Sequence, residues 1–576
     1  MNAPATYQAM EMENNPTDTT ATVSAGKALA DALHRRGVER IFCVPGESYL
    51  DVLDALYDYP DIDVIVAKHE GAAANMAEAD GKLSGKPGIC FVTRGPGASH
   101  AAIGVHIAQQ DSTPMILFVG QVPSGERGRD GFQEIDYRGM FGSIAKWVTE
   151  LDDAERLEEV LHRAFHVASS GRPGPVVIAL PEDVLAMPCR SAAALHDTLP
   201  RSAPDPRDVD EVIARLRAAQ RPLVLLGGTG WSPEGLDSLR RFVEAWQLPV
   251  AVTFRHQDMF DNRHPCYVGH LGLGVDPALA DSLRSADLVL AVGTRLGDVS
   301  TGAYTYLQLP YPAQFLVHVY PANEDLGRVY APQLPVCCAP SAWAAAVAAH
   351  PGEPAAPWAG HTRATREQYL RFSAAPAEDP EFDGVNLTDV VKHLSDKLPA
   401  DGIVTNGAGN YTGWVHRFFT YKQPGTCLAP TNGSMGYGLP AAIAASLRHP
   451  EREVVCFAGD GCFLMYAQEL ATAVQYGARI IVIVVNNGMY GTIRMYQEKR
   501  FPGRQVATRL QGPDFVKLAQ SFGAHGELVT HAGNFAAAWE RARARNTAAL
   551  IELRVDPAQI TPQARLPRAA AVNIRQ

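Results

Sequence analysis

The sequence predicts an α/β protein built from three successive doubly wound parallel-sheet domains, and three observations carry that expectation. Apolar runs of four to six residues, each ended by Gly, Pro or a charge, alternate with helical stretches. Strands buried on both faces of a parallel sheet read in this way. Two Pro- and Ala-rich stretches, "RSAAALHDTLPRSAPDPRDV" and "AAHPGEPAAPWAGH", cut the chain into blocks of similar size. The length, 576 residues, is more than one hydrophobic core serves.

In chain order, residues 1–22 read as a disordered polar leader without the basic and apolar regions of a signal peptide. The first domain, 23–190, places strands in "ERIFCVPG", "DVIVAKHE", "KPGICFVTRGPG", "TPMILFVGQV" and "GPVVIALPEDV". The central domain, 205–350, places them in "RPLVLLGGTG", "LPVAVTF", "ADLVLAVGTRLGD" and "AQFLVHVYP". The last, 385–560, does so in "DGIVTNGAGN", "EVVCFAGDG", "RIIVIVVNNG" and "AALIELRVDP", with a rhythm close to that of the first.

Composition narrows the function. A net charge of -11 argues against nucleic acid or an anionic membrane surface as partner. No run approaches the roughly 20 apolar residues of a membrane span. The nine cysteines form no C-x-x-C pair and read as buried free thiols in a reducing, cytoplasmic compartment.

Ligands of open parallel sheets bind beyond the carboxyl ends of the strands. The chemically unusual residues gather there: "VPGES", "AKHEG", "TRGPG", "VGTRLGD", "NGAGN", "AGDG" and "VVNNG". In the third block, Gly459 and Gly461 bracket Asp460, and 24 residues separate "GDG" from "NN". That is room for a loop, the helix "MYAQELATAVQY" and a return strand, which sets Asp460 beside Asn487. Carboxylate, amide and carbonyl oxygens suit Mg²⁺ on a phosphate, and glycine-turn amides suit a diphosphate. Alone, "GDG" reads as a capped turn; an EF-hand is excluded, because its alternating oxygen ligands are absent.

With that spacing, and with "KHEGAAANMAEADGKLSGKPGICFVTRGPGAS", "DGFQEID", "PGPVVIALPEDV" and "GSMGYGLPAAIAAS", the chain resembles thiamine-diphosphate-dependent enzymes, most closely the acetohydroxyacid (acetolactate) synthase catalytic subunits. The resemblance covers nearly everything after residue 25. It implies a pyrimidine-binding, a central and a diphosphate-binding domain. It also implies a homodimer or homotetramer with the cofactor between subunits, and a 2-oxo acid such as pyruvate as substrate. Glu70 matches the glutamate on N1′ of the aminopyrimidine, Met435 the residue that bends the cofactor, and the carbonyl of Gly433 its 4′-amino partner. Gly409, Asn410, Tyr411, Gly459, Gly461 and Cys462 match diphosphate contacts, Asn410 and Tyr411 standing in for the usual Gln-His pair. Asp460, Asn487 and the carbonyl of Met489 match the Mg²⁺ ligands. Phe132, Gln133, Lys146 and Arg295 match substrate-side positions; for Arg295 an inter-domain ion pair reads equally well.

The chain departs from the pattern in three places. "VPGES" puts Glu47 where the synthases carry a glycine, as a working acid or a strand-end charge. Tyr496 replaces the tryptophan that biases synthases toward 2-oxobutyrate. The middle domain offers "LLGGTG" and "GHLGLG" but no complete dinucleotide fingerprint, so FAD binding and plain sheet packing both stand. The function expected is decarboxylation of a 2-oxo acid with carboligation to a second carbonyl compound. The alternatives are a non-ligating decarboxylase that releases an aldehyde and, in another class, a non-catalytic cofactor-binding or regulatory subunit. A nucleotide-binding dehydrogenase is disfavoured by the missing fingerprint.

Overall fold

The computed structural model describes residues 22–190, 198–200, 202–353, 356–376 and 384–567. The expected leader lies, up to residue 21, outside the described residues. Three six-stranded sheets follow one another, every pair within them parallel. The first holds β1 (Arg40–Cys43), β2 (Asp63–Val66), β3 (Gly88–Val92), β4 (Met115–Gln121), β5 (Trp147–Glu150) and β6 (Pro175–Pro181) in the order 2-1-3-4-6-5. The second holds β7 (Pro222–Leu226), β8 (Val250–Val252), β9 (Tyr267–His270), β10 (Leu288–Val292), β11 (Phe315–Tyr320) and β12 (Leu334–Cys337) in the order 9-8-7-10-11-12. The third holds β13 (Ile403–Asn406), β14 (Cys427–Leu428), β15 (Val454–Gly459), β16 (Ile480–Asn486), β17 (His525–Val529) and β18 (Ala549–Arg554) in the order 14-13-15-16-18-17. The outer sheets thus share one strand order, and the middle one differs.

The central strands are the apolar runs of the sequence, and they are buried throughout. Five strands have no such run: β5, β9, β12, β14 and β17. All five are edge strands, where one side needs no partner and a short or half-exposed segment suffices. The helix expected over "MYAQELATAVQY" is shorter than its pattern. A single turn, Asp460–Phe463, is followed by a bend, and the helix proper is Glu469–Gln475. Of the cysteines, Cys337 is exposed, and the other eight are buried; all are free.

Helices α1 (Glu70–Ser84) and α2 (Gly95–Asp111) of the first domain pack against each other, and α1 packs against α3 (Gly438–Arg448) of the last. Small residues allow the approach: a Cβ on Gly104 of α2 would stand 2.5 Å from that of Ala74. Charges fix the seam between the domains. Arg448 grips Asp80 with two bonds of 2.8 Å, and Tyr437 donates to buried Glu78 at 2.5 Å. Asp111 accepts the amide of Thr431 at 2.8 Å. A buried ionic seam adds less stability than its count suggests, but it fixes which groups must meet.

The central domain docks through Arg255, which is 3 % exposed. Its guanidinium donates to the carbonyls of Gly407 and Pro430, each at 2.6 Å, from a backbone in the left-handed region at φ 62°. A non-glycine residue keeps that conformation only where its surroundings impose it.

Candidate active site

Strand order reverses between β1 and β3, between β7 and β10, and between β13 and β15. At such reversals the crevice beyond the strand ends is open to a ligand. Each of the three crevices carries a distinct set of residues.

The third crevice is the one built around "GDG". Asp460 follows β15 directly and is 4 % exposed. One carboxylate oxygen accepts the amide of Gly461 at 2.8 Å and the other that of Gly488 at 2.9 Å. Burial pushes its pKa up to about 6, despite those two donors. Asn487 lies beyond the end of the neighbouring strand β16, and its side-chain oxygen accepts the amide of Met489 at 3.2 Å. A buried acid beside an amide oxygen and a carbonyl is a donor set for a hard cation.

The glycines here are places where a side chain would not fit. A Cβ on Gly461 would meet Tyr490 Cε1 at 2.7 Å and Leu510 Cδ1 at 2.8 Å. One on Gly409, at φ 151°, would strike the ring of Tyr411 at 2.7 Å, and one on Gly459 would reach it at 3.0 Å. Tyr411 therefore lies beneath the loops within the domain core, and its hydroxyl donates to Cys462 Sγ at 3.2 Å. What it offers a ligand is its backbone. Asn410 bonds Thr492 through both its amide (3.1 Å) and its side-chain oxygen (2.9 Å), tying the loop to α4 (Gly491–Arg500). Tyr496 is half-exposed on that helix. Met435 is half-buried against the core, after Gly433 at φ 74°.

The first crevice holds Glu47, Arg94 and Gln133. Arg94 reaches Glu47 at 3.4 Å and also pairs with Glu182. The carbonyl of Gln133, whose φ is 67°, accepts the amide of Gly95 at 3.0 Å, while Phe132 is 73 % exposed. Glu70 opens α1 beside them, its carboxylate 2.7 Å from His100 Nδ1.

Two residues that hold Glu70 in place went unnoticed in the sequence. Glu469, fully buried in the last domain, accepts the amide of Lys68 at 3.0 Å and the hydroxyl of Thr472 at 2.7 Å; burial pushes its pKa up to about 7. Tyr466 stands between the two domains: a Cβ on Gly71 would lie 2.4 Å from its hydroxyl, and one on Gly436 would lie 2.7 Å from its ring. Two glycines in helical or loop pattern with no stated turn were the signal available for it.

Lys146 and Arg295 are not brought to these groups within the chain. Lys146 precedes β5 at the opposite, amino edge of the first sheet, and its ammonium donates to the carbonyls of Val167 and Ser170. Burial lowers its pKa to about 8. Arg295 follows β10 and donates to the carbonyl of Gln110 at 2.6 Å, at the junction of all three domains. The central crevice there, lined by Thr229, His256, Arg295 and Thr431 among others, is about 90 Å³. The imidazole of His256 lies over Gly228, where a Cβ would stand 2.5 Å from the ring.

Three family models match the chain, one to each sheet. Residues 23–140 match the thiamine pyrophosphate enzyme N-terminal TPP binding domain, 209–347 the central domain and 407–553 the C-terminal TPP binding domain. An acetolactate synthase large subunit of Parasynechococcus marenigrum (strain WH8102) is 34% identical over 536 residues, 88% of this chain and 84% of the relative. The acetolactate synthase isozyme 2 large subunit of Escherichia coli (strain K12) is 31% identical over 507 residues, 87% of this chain and 89% of its own. A probable acetolactate synthase large subunit of Methanocaldococcus jannaschii is 30% identical over 561 residues, 94% and 93% of the two chains.

Proposed function

Because the chain belongs to the thiamine pyrophosphate enzyme family, alongside acetolactate synthase large subunits matched along most of its length, we propose that it decarboxylates a 2-oxo acid such as pyruvate and ligates the remaining acyl carbon to a second carbonyl compound. It is a thiamine-diphosphate-dependent enzyme, and Mg²⁺ is the metal its donor set suits. The functional domains are taken as 23–190, 205–350 and 385–560. The observation that carries the reading is buried Asp460, raised to about 6 and flanked by glycines with no room for a side chain, at the strand reversal of the third sheet.

Thiamine diphosphate, when bound, would supply a carbon nucleophile and a sink for the electron pair of decarboxylation. The rest falls to the chain. Asp460, Asn487 and the carbonyl of Met489 would hold Mg²⁺; the amides of Gly461, Cys462 and the Gly409 loop would bind the diphosphate. Glu70 would accept a hydrogen bond from N1′ of the aminopyrimidine, and Met435 and the carbonyl of Gly433 would orient that ring. Gln133, Phe132 and Tyr496 would shape the substrate side; Lys146 and Arg295 join them only if a second subunit, or a movement of the domains, brings them in. Exposed apolar residues near the strand ends, Phe132, Met465, Ile493 and Tyr496, support a homo-oligomer with the site between subunits. No step is assigned to a flavin.

A second reading, release of an aldehyde, rests on Glu47, an acid at the reversal of the first sheet where it could meet the same intermediate product. Incubation with thiamine diphosphate, Mg²⁺ and pyruvate, followed by proton NMR, separates the two. Acetolactate or acetoin supports carboligation, and acetaldehyde alone supports the second reading. Pyruvate left intact while other 2-oxo acids are consumed would reject pyruvate as the donor. Unchanged turnover in Glu70→Gln would reject the role given to Glu70.

A further inference from the structure

His100 belongs to no motif of the sequence, yet its side chain bonds the carboxylate on which the proposed chemistry turns. Glu70 is the first residue of α1, and His100 lies in the second turn of α2. The start of α2 lies close by: a Cβ on Gly97 would stand in ordinary contact with Glu70 Cγ, at 3.7 Å. Across that approach His100 Nδ1 lies 2.7 Å from Glu70 Oε2. An ionised carboxylate only accepts, so the bond requires a proton on Nδ1.

The ring is held in plane. His69 stacks on it, with centroids 4.5 Å apart and planes 28° from parallel. His69 Nδ1 accepts the amide of Gly71 at 3.0 Å, which places the proton of that ring on Nε2. Burial, then the neighbouring His100, lowers the pKa of His69, keeping the stacked partner neutral. Tyr466 closes the other side of His69, its ring edge-on at 5.2 Å.

We infer that His100 is a positioning residue for Glu70: its Nδ1–H occupies Oε2 and fixes the carboxylate so that Oε1 alone faces the aminopyrimidine. The inference rests on the thiamine reading of Glu70 and adds to it a residue that acts through that carboxylate. A carboxylate free to rotate would present either oxygen, and only part of its orientations would suit a bond to N1′. The same three residues, His69, Glu70 and His100, also bring ligand atoms within 4.8 Å of one another. Stacked imidazoles present their edges side by side instead of converging on one point, which favours positioning over metal binding.

The experiment measures exchange of the C2 proton of bound thiamine diphosphate for deuterium, at cofactor saturation, in the full-length holoenzyme. His100→Ala is expected to slow exchange by ~10- to 100-fold, the size of a lost charge-assisted hydrogen bond. His100→Asn, whose amide can donate from nearly the same place, is expected to recover to within a few-fold of the wild type. Wild-type exchange in His100→Ala, or equal slowing in both variants, would overturn the inference. Glu70→Gln is the control for the underlying reading: wild-type exchange in that variant would reject the thiamine role of Glu70 itself. A second readout needs no cofactor. Solid-state ¹⁵N spectra of the histidine-labelled apoprotein should contain a protonated Nδ1 signal that His100→Ala removes. Its absence in the wild type would equally overturn the inference.

Discussion

Replacing Glu469 by Gln tests how the last domain holds the loop that carries Glu70. The carboxylate is fully buried, accepts the amide of Lys68 at 3.0 Å and the hydroxyl of Thr472 at 2.7 Å, and its pKa rises from 4.5 to about 7, chiefly through burial. A folded-state pKa above the unfolded value means that the folded form binds the proton more tightly. Stability from this group is therefore complete below about 4.5 and is lost as pH rises through about 7. A difference of about 2.5 pH units corresponds to ~3 kcal/mol. Glutamine keeps an acceptor for Lys68 and cannot ionise, and the Thr472 hydroxyl can turn to accept from its amide. The chain has several domains, so a global melting curve does not isolate the effect. Hydrogen–deuterium exchange of a peptide spanning 64–74 does, because opening there separates Lys68 from Glu469. After correction for intrinsic rates, protection in the wild type should fall by up to ~100-fold between pH 5 and 8. In Glu469→Gln it should stay level. A parallel fall in both proteins, or a level profile in the wild type, would refute the reasoning.

Three further outcomes follow from the same geometry. Asp460→Asn should weaken Mg²⁺-dependent binding of thiamine diphosphate by ~100-fold or more, read by calorimetry with and without the metal. Gly461→Ala drives a methyl to 2.7 Å from Tyr490 Cε1 and 2.8 Å from Leu510 Cδ1. Overpacking of that kind costs about 1–3 kcal/mol, and a lowered Tm together with weaker cofactor binding would show it. Arg255→Lys cannot reproduce the fork onto Gly407 and Pro430, so one buried carbonyl is left without a donor at a cost of about 1–3 kcal/mol. Faster exchange at both loops than in the wild type is the expected readout.

The central strands and the carboxyl-edge placement of the candidate site's residues were legible in the sequence, because fully buried strands leave apolar runs and the turns after them need glycine. Five of the six edge strands were not. Trp147–Glu150 is half-buried along its length and Cys427–Leu428 is only two residues, so neither leaves a hydrophobic signature. Asp460 and Asn487 were readable because the βαβ spacing is local. Glu469 was hidden for the opposite reason: its bond to Lys68 spans 401 positions, and nothing in "QELATAVQ" names a distant partner. His100 shows the same limit, since it meets Glu70 only through the packing of two helices. Tyr411 stands in the right motif, but its ring turned out to be part of the core, a choice made by tertiary packing.

The common strand order of the outer sheets gives the chain two crevices of one kind. The two differ in what they hold: one reversal keeps an acid between glycines, and its counterpart keeps Glu47 paired with Arg94. A change at Glu47 therefore falls a whole domain away from the GDG turn, outside the contacts that pack around Asp460.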